Sequence, residues 1–134
     1  AKLAEVVDLA NDYHVDYVLH GGDFFDTPNP ALSVVADFLQ VLKSLKAPLY
    51  VVAGNHDSGQ LFETFAPYMT PFGVYLVGEI RTPDEGGIVR VDTSAGPLTV
   101  SCVPYLAQSR VTDVMAEPGE SYSGYADRLR AVLT

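Results

Sequence analysis

The sequence predicts an α/β fold built around a β-loop-α-β unit, and three observations predict it. Val15 to His20 is a short strand candidate, followed by the turn-rich stretch Gly21-Gly22-Asp23-Phe24-Phe25-Asp26-Thr27-Pro28-Asn29-Pro30. A helical period over 31–46 then puts Leu32, Val35, Phe38, Leu39, Leu42 and Leu45 on one face, with Asp37, Gln40, Lys43 and Ser44 on the other. Finally, Leu49-Tyr50-Val51-Val52-Ala53 is apolar throughout, the pattern of a strand with both faces covered. Two strands joined through a helix in one sheet run parallel, with a right-handed crossover.

The remaining elements follow in chain order. Residues 1–14 read as a helix, with Leu3, Val6, Val7, Ala10 and His14 on one stripe and Lys2, Glu5, Asp8 and Asn11 facing away. It starts at residue 1 with no capping residue and no initiator Met, which reads as a cut end. Asn29 is expected to cap the second helix, with Pro30 at its first position, and Pro48 prevents that helix from continuing. Beyond residue 58 a short helix is expected near 60–68, then strands at 73–78, 87–93 and 97–103. Gly86-Gly87 marks a turn and Ser94-Ala95-Gly96-Pro97 a hairpin. Glu117-Pro118-Gly119 breaks a loop, and a last helix spans 122–134. The whole chain, 1–134, is read as a single partial domain.

Composition narrows the function classes. With 134 residues and 48% apolar content, the chain can build one core. No apolar run approaches the roughly 18 residues of a membrane span, and the amphipathic, acidic start does not read as a secretory leader. A single cysteine, Cys102, excludes an internal disulfide and suits the cytoplasm; its apolar surroundings mark it as an inert buried thiol. Seventeen acids against eight bases give a net charge of −9, so the surface as a whole repels polyphosphates. If DNA is the substrate, metal ions or a partner must supply the positive potential.

Two strings carry the chemistry: Gly22-Asp23-Phe24-Phe25-Asp26 and Gly54-Asn55-His56-Asp57. Each follows a strand of the β-α-β unit, and ligands of open α/β sheets bind outside the carboxyl ends of strands. Two glycines before Asp23 let the chain turn tightly and leave its carboxylate at the sheet rim. A carboxylate can bridge two hard cations, and the Asn55 amide oxygen is a neutral ligand for the same kind of ion. His56 can donate a proton or hydrogen bond where charge develops on an oxygen. Together they describe part of a two-metal site for in-line attack of an activated water on phosphorus. Either loop alone is as well explained by turn formation; both at matching strand ends favour the metal site.

Lesser candidates surround these. Asp26 could orient His56 or a metal-bound water, or could cap a turn. His14 is read as a core histidine, His20 as a strand end with a chance of indirect contact with the site. Asp57 is expected to cap the following helix or support its loop, while Asp84-Glu85 and Glu117/Glu120 are solvated charge.

The same two strings resemble signature blocks of the calcineurin-like metallophosphoesterases. With Thr27-Pro28, Ser58 and the later Val103-Pro104-Tyr105-Leu106, they are similar to the SbcD-type DNA double-strand-break repair nuclease branch over nearly the whole chain. That resemblance implies a four-layer αββα sandwich, here partial, lacking its first strand and C-terminal part. It implies two Mn²⁺ ions, with Asp23 as bridging ligand, Asn55 as ligand of one ion and His56 stabilising the transition state and protonating the leaving oxygen. It further implies a DNA exonuclease and endonuclease, working as a homodimer with an SMC-like ATPase of the SbcC type. The family's opening Asp-x-His and closing Gly-His-x-His are not in the chain, so this stretch alone is expected to bind metal weakly and to be nearly inactive. Two rivals stand beside it: a phosphatase or phosphodiesterase acting on small esters, which the acidic surface favours, and a non-catalytic interaction module retaining the fold.

Overall fold

The structure, a computed structural model, describes residues 2–107. The chain divides into two compact units, Ala1–Pro104 and Tyr105–Thr134, and every element below belongs to the first. The helix expected at 122–134 and the Glu117/Glu120 pair lie outside the described residues.

Three parallel strands, β1 (Val18–His20), β2 (Leu49–Val52) and β3 (Val74–Val77), lie side by side in that order. Each crossover steps one place in the same direction, so helices α2 (Leu32–Leu42) and α3 (Gly59–Met69) both fall on one face. Helix α1 (Lys2–Asp12) joins them there. Alternate strand residues Leu49, Val51, Val74 and Leu76 meet Val7, Val35, Leu42, Phe62 and Met69 in a single core, with Val51 fully buried and Phe62 at 1% exposure. On the other face the ladder partners Tyr50 and Tyr75 stack, ring centroids 4.5 Å apart and planes 13° from parallel.

A separate antiparallel hairpin, β4 (Ile88–Thr93) and β5 (Gly96–Ser101), completes the described fold. Its tip is tied down by Ser94, whose backbone N–H and hydroxyl donate to Asp16 Oδ2 at 3.1 and 2.7 Å. Cys102, just past β5, is buried, and burial pushes its thiol pKa up, with Arg81 opposing. A protonated thiol there is inert, as expected. Helices on a parallel sheet plus a second small sheet agree with the α/β class and with part of a phosphoesterase sandwich. No helix among the described residues is long and apolar enough to cross a membrane.

Several local expectations are corrected. α1 stops at Asp12, and His14 is exposed rather than core. Its backbone adopts φ 53°, a left-handed conformation that ends the helix and lets Val15 N–H reach Ala10 O at 3.2 Å. Asn29 does not cap α2. Ala31 keeps an extended backbone, φ −59° and ψ 142°, so α2 begins only after it, with no side-chain cap and two residues beyond Asn29, whose N–H bonds Thr27 Oγ1 at 3.3 Å. Leu32, in that first turn, is 83% exposed instead of buried. The apolar run of β2 does not mean two equally closed faces: Leu49 and Val51 are buried, Tyr50 and Val52 only half-buried. Glu85 is exposed as expected, folding back to accept from Thr82 N–H at 3.3 Å and Thr82 Oγ1 at 3.0 Å.

Candidate metal centre

Asp23 stands three residues past β1, on the loop that leaves the sheet rim. Gly22 before it has φ 108° and Asp23 itself φ 55°, so two left-handed residues in succession reverse the chain. Asparagine and aspartate tolerate that region better than other non-glycine residues. The second loop leaves β2 through Ala53 and Gly54 and turns at once: Asp57 N–H bonds Gly54 O at 3.3 Å, leaving Asn55 and His56 exposed at the centre of the turn.

The two loops touch backbone to backbone. A Cβ on Gly22 would lie 2.6 Å from the Cα and N of Gly54, and one on Gly54 would collide with the Asp23 N and Oδ1. Glycine is therefore demanded on both sides by contact, and at Gly22 by φ as well. Through this contact Asp23 Oδ1 accepts the His56 backbone N–H at 3.1 Å. The structure thus brings Asp23 beside the Asn55-His56 turn. Asp26 is exposed, and among the described residues no hydrogen bond joins it to His56.

Asp57 was expected either to cap the next helix or to support its loop, and it does the second. Ser58 is the cap, its Oγ accepting Leu61 N–H at 3.2 Å. The Asp57 carboxylate, 9% exposed, accepts Gly54 N–H at 2.8 Å and Phe24 N–H at 3.0 Å on Oδ2, and Phe25 N–H at 2.8 Å on Oδ1. The hint in the sequence was its place directly after the Asn-His pair; its partners across the sheet rim are 32 and 33 residues away and invisible to local pattern.

His20 ends β1 below this site. Its Nδ1 accepts Gly22 N–H at 3.3 Å, and its ring meets Phe24 edge-on at 4.7 Å. Burial lowers its pKa from 6.5, while the Asp57 and Asp23 charges pull it back up. The neutral form with Nδ1 free to accept suits both the bond and the burial.

The donor chemistry fits a hard divalent cation in part. Asp23 Oδ2 and the Asn55 amide take no hydrogen bond among the described residues, leaving two oxygen ligands open at the rim. The ion pairs among those residues are Lys2–Glu5 and Arg81–Glu63, so neither Asp23 nor Asp57 is neutralised by a basic side chain. Nor do the described residues contain a cluster of three or more His, Cys, Asp or Glu able to hold a metal. Two open oxygens are a part of a ligand set, and the set remains incomplete here.

A parallel sheet whose first two strands end in Gly-Asp-x-x-Asp and Gly-Asn-His-Asp loops defines a phosphoesterase class. Residues 1–117 match the calcineurin-like phosphoesterases, and the chain belongs to that family. Within it, the chain is 29% identical over 119 residues to the SbcD subunit of the SbcCD nuclease of Bacillus subtilis, covering 86% of this chain and 30% of that protein. It is 31% identical over 116 residues to the DNA double-strand break repair protein Mre11 of Sulfurisphaera tokodaii, covering 84% and 29%. A shorter stretch of 58 residues is 41% identical to Mre11 of Methanosarcina acetivorans. The chain spans 30% or less of the length of these relatives.

Proposed function

We propose that this chain is part of a metal-dependent DNA nuclease subunit that hydrolyses phosphodiester bonds in DNA-end processing. The observation that carries it is the contact of the Asp23 loop with the Asn55-His56 turn at one sheet edge, in a chain similar to SbcD and Mre11. The family match crosses the boundary between the two units, which supports reading the chain as one partial domain.

In this reading Asp23 and Asn55 would hold Mn²⁺, with Asp23 as the ligand common to a two-ion site. When bound, such ions would supply positive charge beside the phosphoryl oxygens and lower the pKa of a water. Asp23 keeps one oxygen for the ions because His56 N–H occupies the other. His56, exposed at the turn, offers its imidazole to the departing oxygen as a proton donor. Asp26 is the candidate to steer that imidazole or a water once substrate is present. With a net charge of −9, the chain leaves cationic grip on the DNA to the ions and to a partner. An SbcC-type SMC-like ATPase and a second copy in a homodimer are the proposed partners, and the cytoplasm the proposed compartment.

The acidic surface supports one alternative, hydrolysis of small phosphate esters. The longest natural protein containing this chain, assayed with Mn²⁺ on blunt duplex DNA, nucleoside monophosphates and cyclic nucleotides, separates the two. Shortening of the duplex is expected; turnover of the small esters with intact DNA sinks the nuclease reading.

A further inference from the structure

We propose that Asp57 is the positioning residue of this site: its carboxylate sets the spacing between Asp23 and the Asn55-His56 pair without holding the ion or touching substrate. The inference rests on the roles proposed above for Asp23, Asn55 and His56 and adds a residue to them.

The argument starts from the turn. Asp57 pins Gly54 from both sides, donating its own N–H to Gly54 O at 3.3 Å and accepting Gly54 N–H on Oδ2 at 2.8 Å. Asn55 and His56 therefore sit in a ring whose two ends are fastened by one residue. The same carboxylate reaches across to the other loop, where Phe24 and Phe25, the two residues after Asp23, give it their N–H groups at 3.0 and 2.8 Å. Asp23 needs such fastening, because a non-glycine residue at φ 55° holds that conformation only when its surroundings impose it. The Gly22–Gly54 contact leaves no slack between the halves.

Acceptor accounting separates the two carboxylates. A carboxylate offers about four lone-pair sites, and Asp57 spends three on amides while buried. Asp23 is exposed and spends one. The first is committed to backbone, the second is open to a cation. Helix capping does not explain Asp57 either, because Ser58 does that. Asparagine with its oxygen at the Oδ2 position would keep one amide of each loop, Gly54 and Phe24, whereas alanine leaves all three N–H groups without their acceptor and unties the two loops.

Nuclear magnetic resonance on the 134-residue chain tests this, comparing wild type, Asp57→Ala and, as a control that weakens α3 at the neighbouring position, Ser58→Ala. Two quantities are read: the cross-peak between the Gly22 and Gly54 α-protons, and the Mn²⁺ concentration that half-broadens the Asp23, Asn55 and His56 amides. In Asp57→Ala the cross-peak is expected to vanish while the core resonances of α3 and the sheet persist, and the Mn²⁺ midpoint to rise by about tenfold or more, as for other residues that orient metal ligands. Ser58→Ala should leave both unchanged. An Asp57→Ala variant that keeps the cross-peak overturns the proposal. If that variant does not fold, through-hydrogen-bond couplings in the wild type from the Phe24, Phe25 and Gly54 nitrogens to the Asp57 carboxyl carbon decide instead, and their absence overturns it. Failure of Mn²⁺ to broaden the wild-type loop amides would sink the metal reading, and the cross-peak would still report on loop spacing by itself.

Discussion

Two acidic side chains in this molecule gather backbone amides in the same way, at two different strand ends. Asp57 joins the loops after β1 and β2 beside the Gly22–Gly54 contact. Glu63, on α3, accepts Gly78 N–H at 2.8 Å and Glu79 N–H at 3.2 Å just past β3, beside a second backbone contact between Gly59 and Gly78. The difference is the counter-charge. Arg81 sits 2.7 Å from Glu63 and closes that cluster, whereas no basic side chain among the described residues pairs with Asp23 or Asp57. One clasp is electrically finished within the chain; the other has an unbalanced carboxylate at the rim. That contrast supports the proposal of an external cation at the Asp23 loop better than either motif does alone.

The proposal makes the first clasp chemical and the second structural, and the largest effect should show that. In the full-length protein His56→Ala is expected to cut DNA cleavage by about 10²- to 10⁴-fold, the range for a lost proton donor, with Mn²⁺ uptake retained. Asp23→Ala should lose both cleavage and uptake. Titration calorimetry showing normal Mn²⁺ binding in the Asp23 variant contradicts the assignment. Next in size, Gly54→Ala forces a methyl into Asp23 and should destabilise the chain by about 3 kcal/mol, read as a shift in urea midpoint. A midpoint within error of wild type would mean the loops are not in contact. Glu63→Ala removes acceptors from two amides and the partner of Arg81, costing about 2 kcal/mol. It should leave the Gly22, Asp23 and Phe24 amide resonances where they are, and movement there would show that the two clasps are coupled.

The smallest effect is a pH dependence. His20 has its pKa lowered from 6.5 by burial, so the unfolded chain binds the extra proton more readily. Stability is therefore full above about pH 6.5 and falls as the pH drops through that value toward the folded-state pKa. Replacing it, His20→Gln, should flatten that part of the pH–stability curve, and an unchanged slope would assign it to the carboxylates.

What the sequence made legible was periodic or local. The three parallel strands, α3 and the hairpin around Ser94-Ala95 fall within a few residues of where alternation and turn residues put them. Both loops of the site were readable because glycine, aspartate and asparagine are informative wherever a strand ends. Three things were not readable, each for a physical reason. The start of α2 is set by Ala31, whose backbone stays extended at ψ 142° and moves the cap position two residues past Asn29. The end of α1 depends on His14 accepting a left-handed backbone, which no periodicity reveals. The division of labour between Asp57 and Ser58 is set by amides more than thirty residues upstream, and adjacent polar residues look interchangeable until those donors are in place. Among the described residues no group of three or more His, Cys, Asp or Glu completes a metal site.

The three amides that converge on Asp57 have a kinetic consequence. Releasing any one of them uncovers part of a buried anion with no substitute donor nearby, so partial opening gains little freedom at full desolvation cost. The Gly54 turn and the Phe24-Phe25 segment should then unlatch as a single event, with one shared deuterium-exchange rate across two loops that are far apart along the chain.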